Sequence, residues 1–294
     1  MKNKIKGTLA ILTATVIWGS AFVAQSVGMD LVEPFTFQAW RCILAVPFLI
    51  ILLLILNPKE FRSSWKNPQL WKAGIPCGIA LFTASGLQQM GMVYTDAGKA
   101  GFLTAMYIVL VPILGLFLKK KPPKTTIISV ILAVIGLYLL SCVGVSTINI
   151  GDLLLIGCAL AFAVQIVLVD NLGKDLNGIQ LNCVQCMING VLSIATMLIF
   201  EEPKMDAIMH CWLPIGYAGI LSLGVAFTLQ IVGQKHLDSA PASIIMSLES
   251  VFAVLTGWLI LNESMTTAET LGCVLMFTAV LLSQIPVPLL KKRK

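Results

Sequence analysis

The stretch WKAGIPCGIALFTASGLQQMGMVYTD at residues 71–96 occurs again in altered form 142 positions later, as LPIGYAGILSLGVAFTLQIVGQKHLD at residues 213–238. Each begins with about 20 mainly apolar residues, enough for a helix to cross a hydrocarbon layer roughly 30 Å thick. The two align without a gap, and Gln88 meets Gln230. Because matched amides are uncommon in apolar sequence, the pair indicates a repeated membrane-spanning unit.

The same kind of apolar stretch fills the rest of the chain. Hydrophobic residues make up 57% of the 294 residues and charged residues only 12%, about half the share of a soluble domain. This composition argues against a soluble enzyme, a disordered chain or a secreted disulfide scaffold. We predict an all-α integral membrane protein with ten transmembrane helices, spans 1 to 10, at residues 8–27, 35–56, 71–93, 97–118, 125–143, 151–169, 179–200, 213–233, 240–261 and 268–286.

The repeat divides these spans into two groups of five, residues 1–146 and 147–294. Five is an odd number, so the second half begins on the opposite side of the membrane from the first. We therefore predict two inverted five-helix repeats, an arrangement that recurs in transporters because the halves can exchange conformations. A duplication kept only for stability is the alternative.

The lysines and arginines indicate the orientation. Of the 20 such residues, 17 fall on one side of the ten predicted spans, only Lys99 and Lys204 on the other, and Arg41 within span 2. Positive residues near span ends mark the cytoplasmic side. We expect a multi-pass protein of the cell (inner) membrane with both termini in the cytoplasm.

Three segments resemble a known family: GTLAILTATVIWGSAFV (7–23), AGKAGFLTAMYIVLVPILGL (97–116) and ESVFAVLTGWLILNE (249–263). They are similar to the drug/metabolite transporter superfamily, in particular its EamA-type bacterial permeases. The resemblance covers nearly the whole chain and implies a ten-span transporter of amino acids, related metabolites or drug-like compounds. The family pattern places acidic residues at Glu249 and Glu263, and often a proline where this chain has Ser250.

Two charges lie well inside predicted spans, where charge is costly and usually faces a cavity. Glu249 is about ten residues into span 9, hence roughly 15 Å deep. It is a candidate to bind a cationic group or a proton, or else a structural partner of Arg41 or of backbone. Arg41 is a candidate to bind a substrate carboxylate through its forked donors, or else forms a fixed ion pair or extends to the headgroups.

Uncharged residues complete the candidate solute-binding or coupling set. Amide side chains are costly towards lipid and are expected to face inward, where they contact a solute or bridge helices. Aromatic residues are candidates for apolar pocket walls, although core or interface packing is the favoured explanation for them. These candidates are Gln38, Gln88, Tyr107, Trp18, Asn182, Gln185, Asn189 and Gln230.

The chain lacks a phosphate-binding glycine loop and a His-x-Glu or combined Cys/His metal pattern, and the pair Cys183-x-x-Cys186 lies in an apolar span without a second pair. We expect no enzyme, no catalytic residues, no metal, no cofactor and no nucleic-acid partner. The expected partners are a small-molecule solute, the lipid bilayer and, through Glu249, protons. The predicted function is a secondary transporter working by alternating access. Alternatives are an uncoupled facilitator or channel, a lipid flippase and, least favoured, a membrane-embedded enzyme; monomer and homodimer both stay open.

Overall fold

A computed structural model describes residues 2–58, 61, 65–95, 97–120, 122–141, 149–261 and 265–284. Throughout these residues the regular structure is helical, without strands. By length and composition, nine described helices can cross a membrane, and residues 124–140 form a shorter apolar helix where span 5 is predicted. The predicted all-helical membrane fold is confirmed. Glu263, residues 291–294 and the proposed boundary at 146 and 147 lie outside the described residues.

Seven spans are single helices and three are divided. The single helices are Lys2–Leu31 (span 1), Pro34–Leu56 (span 2), Pro68–Met92 (span 3), Lys124–Ser141 (span 5), Ile150–Leu172 (span 6), Gly178–Phe200 (span 7) and Thr267–Gln284 (span 10). Span 4 is Ala97–Ala105 and Tyr107–Phe117; span 8 is Trp212–Gly216, a wide π-helical segment Tyr217–Ala226, and Phe227–Gln234; span 9 is Ser239–Met246 and Glu249–Leu261. A short helix, Met205–His210, precedes span 8.

Asparagines set several helix starts. At span 6, the Asn149 side chain accepts a hydrogen bond from Asp152 N at 3.1 Å, and the Asp152 carboxylate accepts one from Asn149 N at 3.0 Å. This reciprocal capping satisfies amide groups that the helix itself leaves unbonded. Asn67 and Asn177 cap spans 3 and 7 in the simpler way.

Glycines let two pairs of helices approach closely. A Cβ atom placed on Gly151 would lie 2.7 Å from Gly91 O, and one placed on Gly7 would lie 2.8 Å from Gly233 O. Backbone atoms cannot move aside as a flexible side chain can, so only glycine fits these crossings. Gly91 and Gly233 are 142 positions apart, and Gly7 and Gly151 are 144 apart. The contact between spans 3 and 6 therefore has a counterpart between spans 1 and 8.

Spans 4 and 9 are interrupted at equivalent places. The first break is at Met106 and the second at Ser247 and Leu248, 142 positions after Met106. At both, a backbone amide bonds to the third residue before it: Met106 N to Leu103 O at 3.3 Å, and Leu248 N to Ile245 O at 3.1 Å. The break in span 9 forms although Ser250 replaces the proline that the family often has.

Ion pairs connect helix ends at both faces. We call the face where Lys4 hydrogen-bonds to Gln284 O the terminal face. There, Asp170 pairs with Lys120 at 2.6 Å and with Lys174 at 2.9 Å, and Lys174 also lies 3.6 Å from Asp238. We call these four residues the Asp170 cluster, which joins the ends of spans 4, 6 and 8.

The other end of the bundle has a smaller link. On this opposite face Lys99 pairs with Asp152 at 2.6 Å, connecting the starts of spans 4 and 6. Thr95, just after span 3, donates a further hydrogen bond to the same carboxylate at 3.3 Å. The two faces are thus both bridged by charged contacts, with the middle of the bundle between them.

Candidate functional site

A cavity lies in the middle of the bundle, among spans 1, 2, 3, 4, 6, 8 and 9. Its volume is about 50 Å³, room for a few waters or a compact solute. Six predicted residues line it, namely Trp18, Arg41, Gln88, Tyr107, Gln230 and Glu249. The other lining residues are Phe22, Gln25, Ser85, Thr104, Phe162, Gln165, Ile166, Ser222, Phe227 and Met246.

The wall is built from equivalent positions of the two halves. Gln88 and Gln230 are 142 residues apart and both line the cavity, as do Tyr107 and Glu249. The same shift relates two further wall pairs, and a shift of 144 relates two pairs in spans 1 and 6. These pairs are Ser85 with Phe227, Thr104 with Met246, Trp18 with Phe162, and Phe22 with Ile166.

Glu249 and Tyr107 meet across the cavity. The Tyr107 hydroxyl donates a hydrogen bond to Glu249 Oε1 at 2.9 Å, and both residues are buried. Each is the first residue of the helix that follows its break, where the backbone amides give a partial positive charge that favours an anion. Among the residues that the structure describes, Tyr107 is the one hydrogen-bond partner of the Glu249 side chain. The carboxylate is held in place with acceptor capacity left over.

Arg41 is buried on the cavity wall with an incomplete set of partners. One guanidinium nitrogen donates to Gln25 Oε1 at 3.1 Å, and the guanidinium lies 6.0 Å from the centre of the Phe37 ring. Its Nε has no hydrogen-bond partner among the described residues. Both charged residues are described, and no ion pair joins Arg41 to Glu249. The alternative that these two charges simply neutralise each other is wrong for this structure.

Gln38 and Asn189 lie behind the wall and do not line the cavity. The Gln38 amide donates to Ser85 Oγ and to Asn189 Oδ1, the latter at 2.9 Å. These bonds join spans 2, 3 and 7 in the fully buried interior. In this structure the two residues therefore bridge helices, which is the alternative to the predicted contact with a solute.

Asn182 and Gln185 also lie behind the wall, where they form hydrogen bonds to span 8 and to each other. Asn182 Nδ2 donates to Leu223 O at 2.8 Å and to Gly224 O at 3.0 Å, within the π-helical segment. Gln185 in turn donates to Asn182 Oδ1 at 2.7 Å. In a π-helix each carbonyl accepts from the amide five residues on instead of four, and Asn182 adds a side-chain donor to two of these carbonyls. Span 3, the equivalent of span 8, is an ordinary α-helix here.

Some wall residues escape the sequence analysis. Gln165 accepts from Gln230 at 3.0 Å and donates to Gln185 at 3.2 Å, connecting spans 6, 7 and 8. Gln165 could have been predicted as a candidate, because it is the one amide residue in a mainly apolar span. Gln25 lies seven residues after Trp18 on the same helix face, which is a weaker signal. Isolated hydroxyl residues such as Thr104 give none.

Comparison with known proteins identifies the family. The profile of the EamA-like transporter family matches residues 5–142 and again residues 149–284. An uncharacterized transporter of Archaeoglobus fulgidus is 31% identical over 95% of this chain and 86% of its own length. Uncharacterized transporter YoaV of Bacillus subtilis is 26% identical over 92% of this chain and 94% of its own.

A solved crystal structure has the same fold, with a TM-score of 0.81 at 18% identity, covering 95% of this chain and 96% of the other. A likeness at that identity concerns the fold alone. The family match, in contrast, covers both halves of the sequence. The chain is a membrane transporter that belongs to the EamA-like family of the drug/metabolite transporter superfamily.

Proposed function

We propose that this protein is a secondary carrier that moves a small organic solute across the cytoplasmic membrane by alternating access. The central cavity carries the proposal, because it holds a carboxylate and a guanidinium that do not pair with each other. A charge in the membrane interior costs several kcal/mol. Two such charges on one cavity wall are explained by a polar solute that binds between them.

Two inverted halves, residues 1–146 and 147–294, provide the motion. Equivalent cavity positions, equivalent glycine contacts and equivalent breaks in spans 4 and 9 support this division. In a carrier of this kind the halves exchange conformations around a fixed central site. The Asp170 cluster closes the terminal face and the Lys99–Asp152 pair links the opposite face, so each must loosen in turn.

The excess of lysine and arginine on the terminal side supports a cytoplasmic position for that face and for both termini. The apolar span lengths suit an ordinary bilayer. Labelling of single cysteines at the two chain ends with a membrane-impermeant reagent tests this orientation. Labelling of either end from outside intact cells contradicts it.

Transport is tested with purified protein in liposomes. A carrier gives saturable flux and counterflow, whereas flux that rises linearly with concentration indicates a channel or facilitator. Movement of labelled lipid headgroups indicates a flippase, and chemical conversion of the solute indicates an enzyme. Variant E202Q is the control, since Glu202 is exposed and outside the cavity.

Glu249 is also the residue through which we propose that transport is coupled to protons. It is a buried carboxylate, and its one hydrogen bond within the described part of the chain comes from the uncharged phenol of Tyr107. Variant E249Q keeps the shape and the acceptor for Tyr107 but cannot exchange a proton. In liposomes with an imposed pH gradient, E249Q is expected to lose pH-driven accumulation. Unchanged pH-driven accumulation by E249Q contradicts coupling at this residue.

A further inference from the structure

We infer that span 8 contains one surplus residue between two fixed helix contacts, and that Asn182 holds this residue where it turns Ser222 onto the cavity wall. The surplus residue is a conformational device, because its position along the span changes the shape of the wall while both contacts stay in place. The inference concerns the wall itself, and it does not depend on which solute is bound or on how that solute crosses the membrane.

The first contact lies near the start of the π-helical segment, where span 8 crosses span 2. A Cβ atom placed on Gly219 would lie 2.6 Å from Arg41 O. Span 3 crosses span 7 in the same way, because a Cβ atom placed on Gly78 would lie 3.0 Å from Gln185 O. Arg41 and Gln185 are 144 positions apart, as are the glycines of spans 1 and 6, but Gly78 and Gly219 are only 141 apart. The glycine of span 8 therefore comes one position earlier than the constant shift of 142 would place it.

The second contact lies after the π-helical segment. A Cβ atom placed on Gly233 would lie 2.9 Å from Gly7 O, and one placed on Gly91 would lie 3.1 Å from Gly151 O. Here the shift between spans 3 and 8 is the full 142. The two contacts are thus separated by 13 residues in span 3 and by 14 in span 8.

The π-helical segment accommodates this difference. In an α-helix each residue turns the helix by about 100°, so one extra residue would rotate one of the contacts out of place. A π-helix bonds to the fifth residue instead of the fourth and so takes up the extra residue. Phe227 N donates to Ser222 O in this way.

The surplus residue gives Ser222 its direction. Ser222 lines the cavity, whereas neither Ala80 nor Leu81, its counterparts in span 3 by shifts of 142 and 141, is among the described residues that line it. Ala80 instead lines a groove between spans 3 and 6. If the surplus residue moved to the Gly219 side of Ser222, the serine would take the direction of Ala80, away from the cavity.

Asn182 holds the surplus residue at its place. Its side-chain amide donates to Leu223 O at 2.8 Å, to Gly224 O at 3.0 Å and to Thr228 Oγ1 at 2.9 Å. The equivalent residue of span 2 is Gln38, 144 positions earlier, which donates to side chains of spans 3 and 7. The bonds to backbone carbonyls thus belong to the amide that faces the longer span.

A chain of amides connects this position to the cavity. Gln185 donates to Asn182 Oδ1 at 2.7 Å and accepts from Gln165 at 3.2 Å, and Gln165 accepts from Gln230 at 3.0 Å. Gln165 and Gln230 line the cavity, whereas Asn182 and Gln185 are fully buried behind it. A change at either wall amide therefore reaches the residue that holds span 8.

The first test removes one residue from the purified protein. Deletion of Leu221, an exposed residue of the π-helical segment, keeps both glycine contacts and makes the helix between them α-helical. Deletion of Ile79, its exposed counterpart in span 3, is the matched control, because it turns one contact away by about 100°. We expect the protein without Leu221 to elute as a single folded species that melts within about 5 °C of the parent, and the protein without Ile79 to aggregate. The inference is overturned if both deletions abolish folding or if both preserve it.

The second test follows the direction of residue 222 in a protein whose eight native cysteines are replaced. S222C and T104C, two single cysteines on the cavity wall, are labelled with a small water-soluble thiosulfonate reagent. Deletion of Leu221 turns residue 222 by about 100°, so labelling of S222C is expected to slow at least about tenfold, while labelling of T104C stays unchanged. Equal labelling of S222C with and without Leu221 overturns the inference.

The third test releases the surplus residue. N182A is expected to slow labelling of S222C several-fold, and to have no further effect once Leu221 is deleted, because no surplus residue then remains to be held. Q38A removes the equivalent buried amide of span 2, which bonds to spans 3 and 7, and should leave labelling of S222C unchanged. A merely structural Asn182 would change the labelling equally with and without Leu221. That result, or unchanged labelling in N182A, overturns the role assigned to Asn182.

Discussion

Variant D170N tests whether the Asp170 cluster holds the terminal face closed. The Asp170 side chain is fully buried and receives Lys120 at 2.6 Å and Lys174 at 2.9 Å. Hydrogen bonds to charged groups contribute about 1.5–3 kcal/mol each. Both lysine side chains are 42% exposed, and water and salt reduce the contribution of such a pair to at most about 1 kcal/mol. Loss of both interactions therefore weakens closure by about 1–2 kcal/mol, a factor of roughly 5–30 in the ratio of closed to open molecules.

Ser243 reports this opening. It is fully buried in span 9, between Asp238 at the terminal face and Met246 at the cavity. A single cysteine, S243C, in a background with the eight native cysteines replaced, is labelled with a membrane-impermeant maleimide. The labelling rate is expected to rise about 5–30-fold in D170N, because the cysteine becomes accessible from the terminal face. D170E restores the charge and should restore slow labelling.

The control is D206N, which removes an exposed carboxylate from the short helix at the opposite face. It is expected to leave the S243C labelling rate unchanged. Equal labelling rates in D170N and in the parent, with equal melting temperatures, would refute a closing role for the cluster. Faster labelling together with a large drop in melting temperature would show general unfolding and refute it as well.

Three other outcomes follow from the packing and the charges. G233A should lower stability by about 1–3 kcal/mol, because its Cβ would lie 2.4 Å from Ile11 Cγ1 and 2.9 Å from Gly7 O. The control G98A should leave stability unchanged, because nothing lies within 4 Å of a Cβ placed there. Equal melting temperatures for the two variants would contradict the close helix crossing. E201Q should lower the free energy of unfolding by about 0.5–2 kcal/mol, because the Glu201 carboxylate accepts hydrogen bonds from Phe35 N, Thr36 N and Thr36 Oγ1 at the start of span 2. The control E202Q should melt at the same temperature as the parent. The hydrogen bond from Lys174 to Asp170 raises the pKa of Lys174. The stabilisation that this ion pair gives is therefore full below the ordinary lysine pKa of about 10.4 and is lost as pH rises through the raised pKa. Identical melting curves for the parent and D170N between pH 9 and 12 would argue against this contribution.

The apolar helices, and the matching positions 142 residues apart, could be predicted because both depend on patterns along the sequence. Apolar length locates a helix whatever it packs against, and a constant offset survives in residues such as Gln88 and Gln230. The offset also pairs Tyr107 with Glu249, two predicted residues that the structure brings to 2.9 Å. The sequence shows that these two positions are equivalent. Their hydrogen bond, however, depends on two helix breaks that could not be predicted, because no proline lies at either break.

The side of the wall on which an amide lies could not be predicted. Asn182 and Gln185 occupy an inward face of span 7, as expected, yet span 8 and Gln165 stand between them and the cavity. An amide residue in an apolar span indicates burial, but it does so whether its side chain contacts a solute or the backbone of a neighbouring helix. The π-helical segment Tyr217–Ala226 is likewise invisible in the sequence, since its aligned counterpart in span 3 has an α-helical conformation.

The presence of one positive and one negative side chain on the same central wall has a consequence for the response to voltage. A single elementary charge moved across the whole membrane potential gains or loses about 2.3 kcal/mol per 100 mV. With Arg41 and Glu249 both ionised, the empty site is electrically neutral, so its reorientation carries no net charge through the field. Neutralising either residue alone would leave an uncompensated charge and make that step sensitive to the membrane potential.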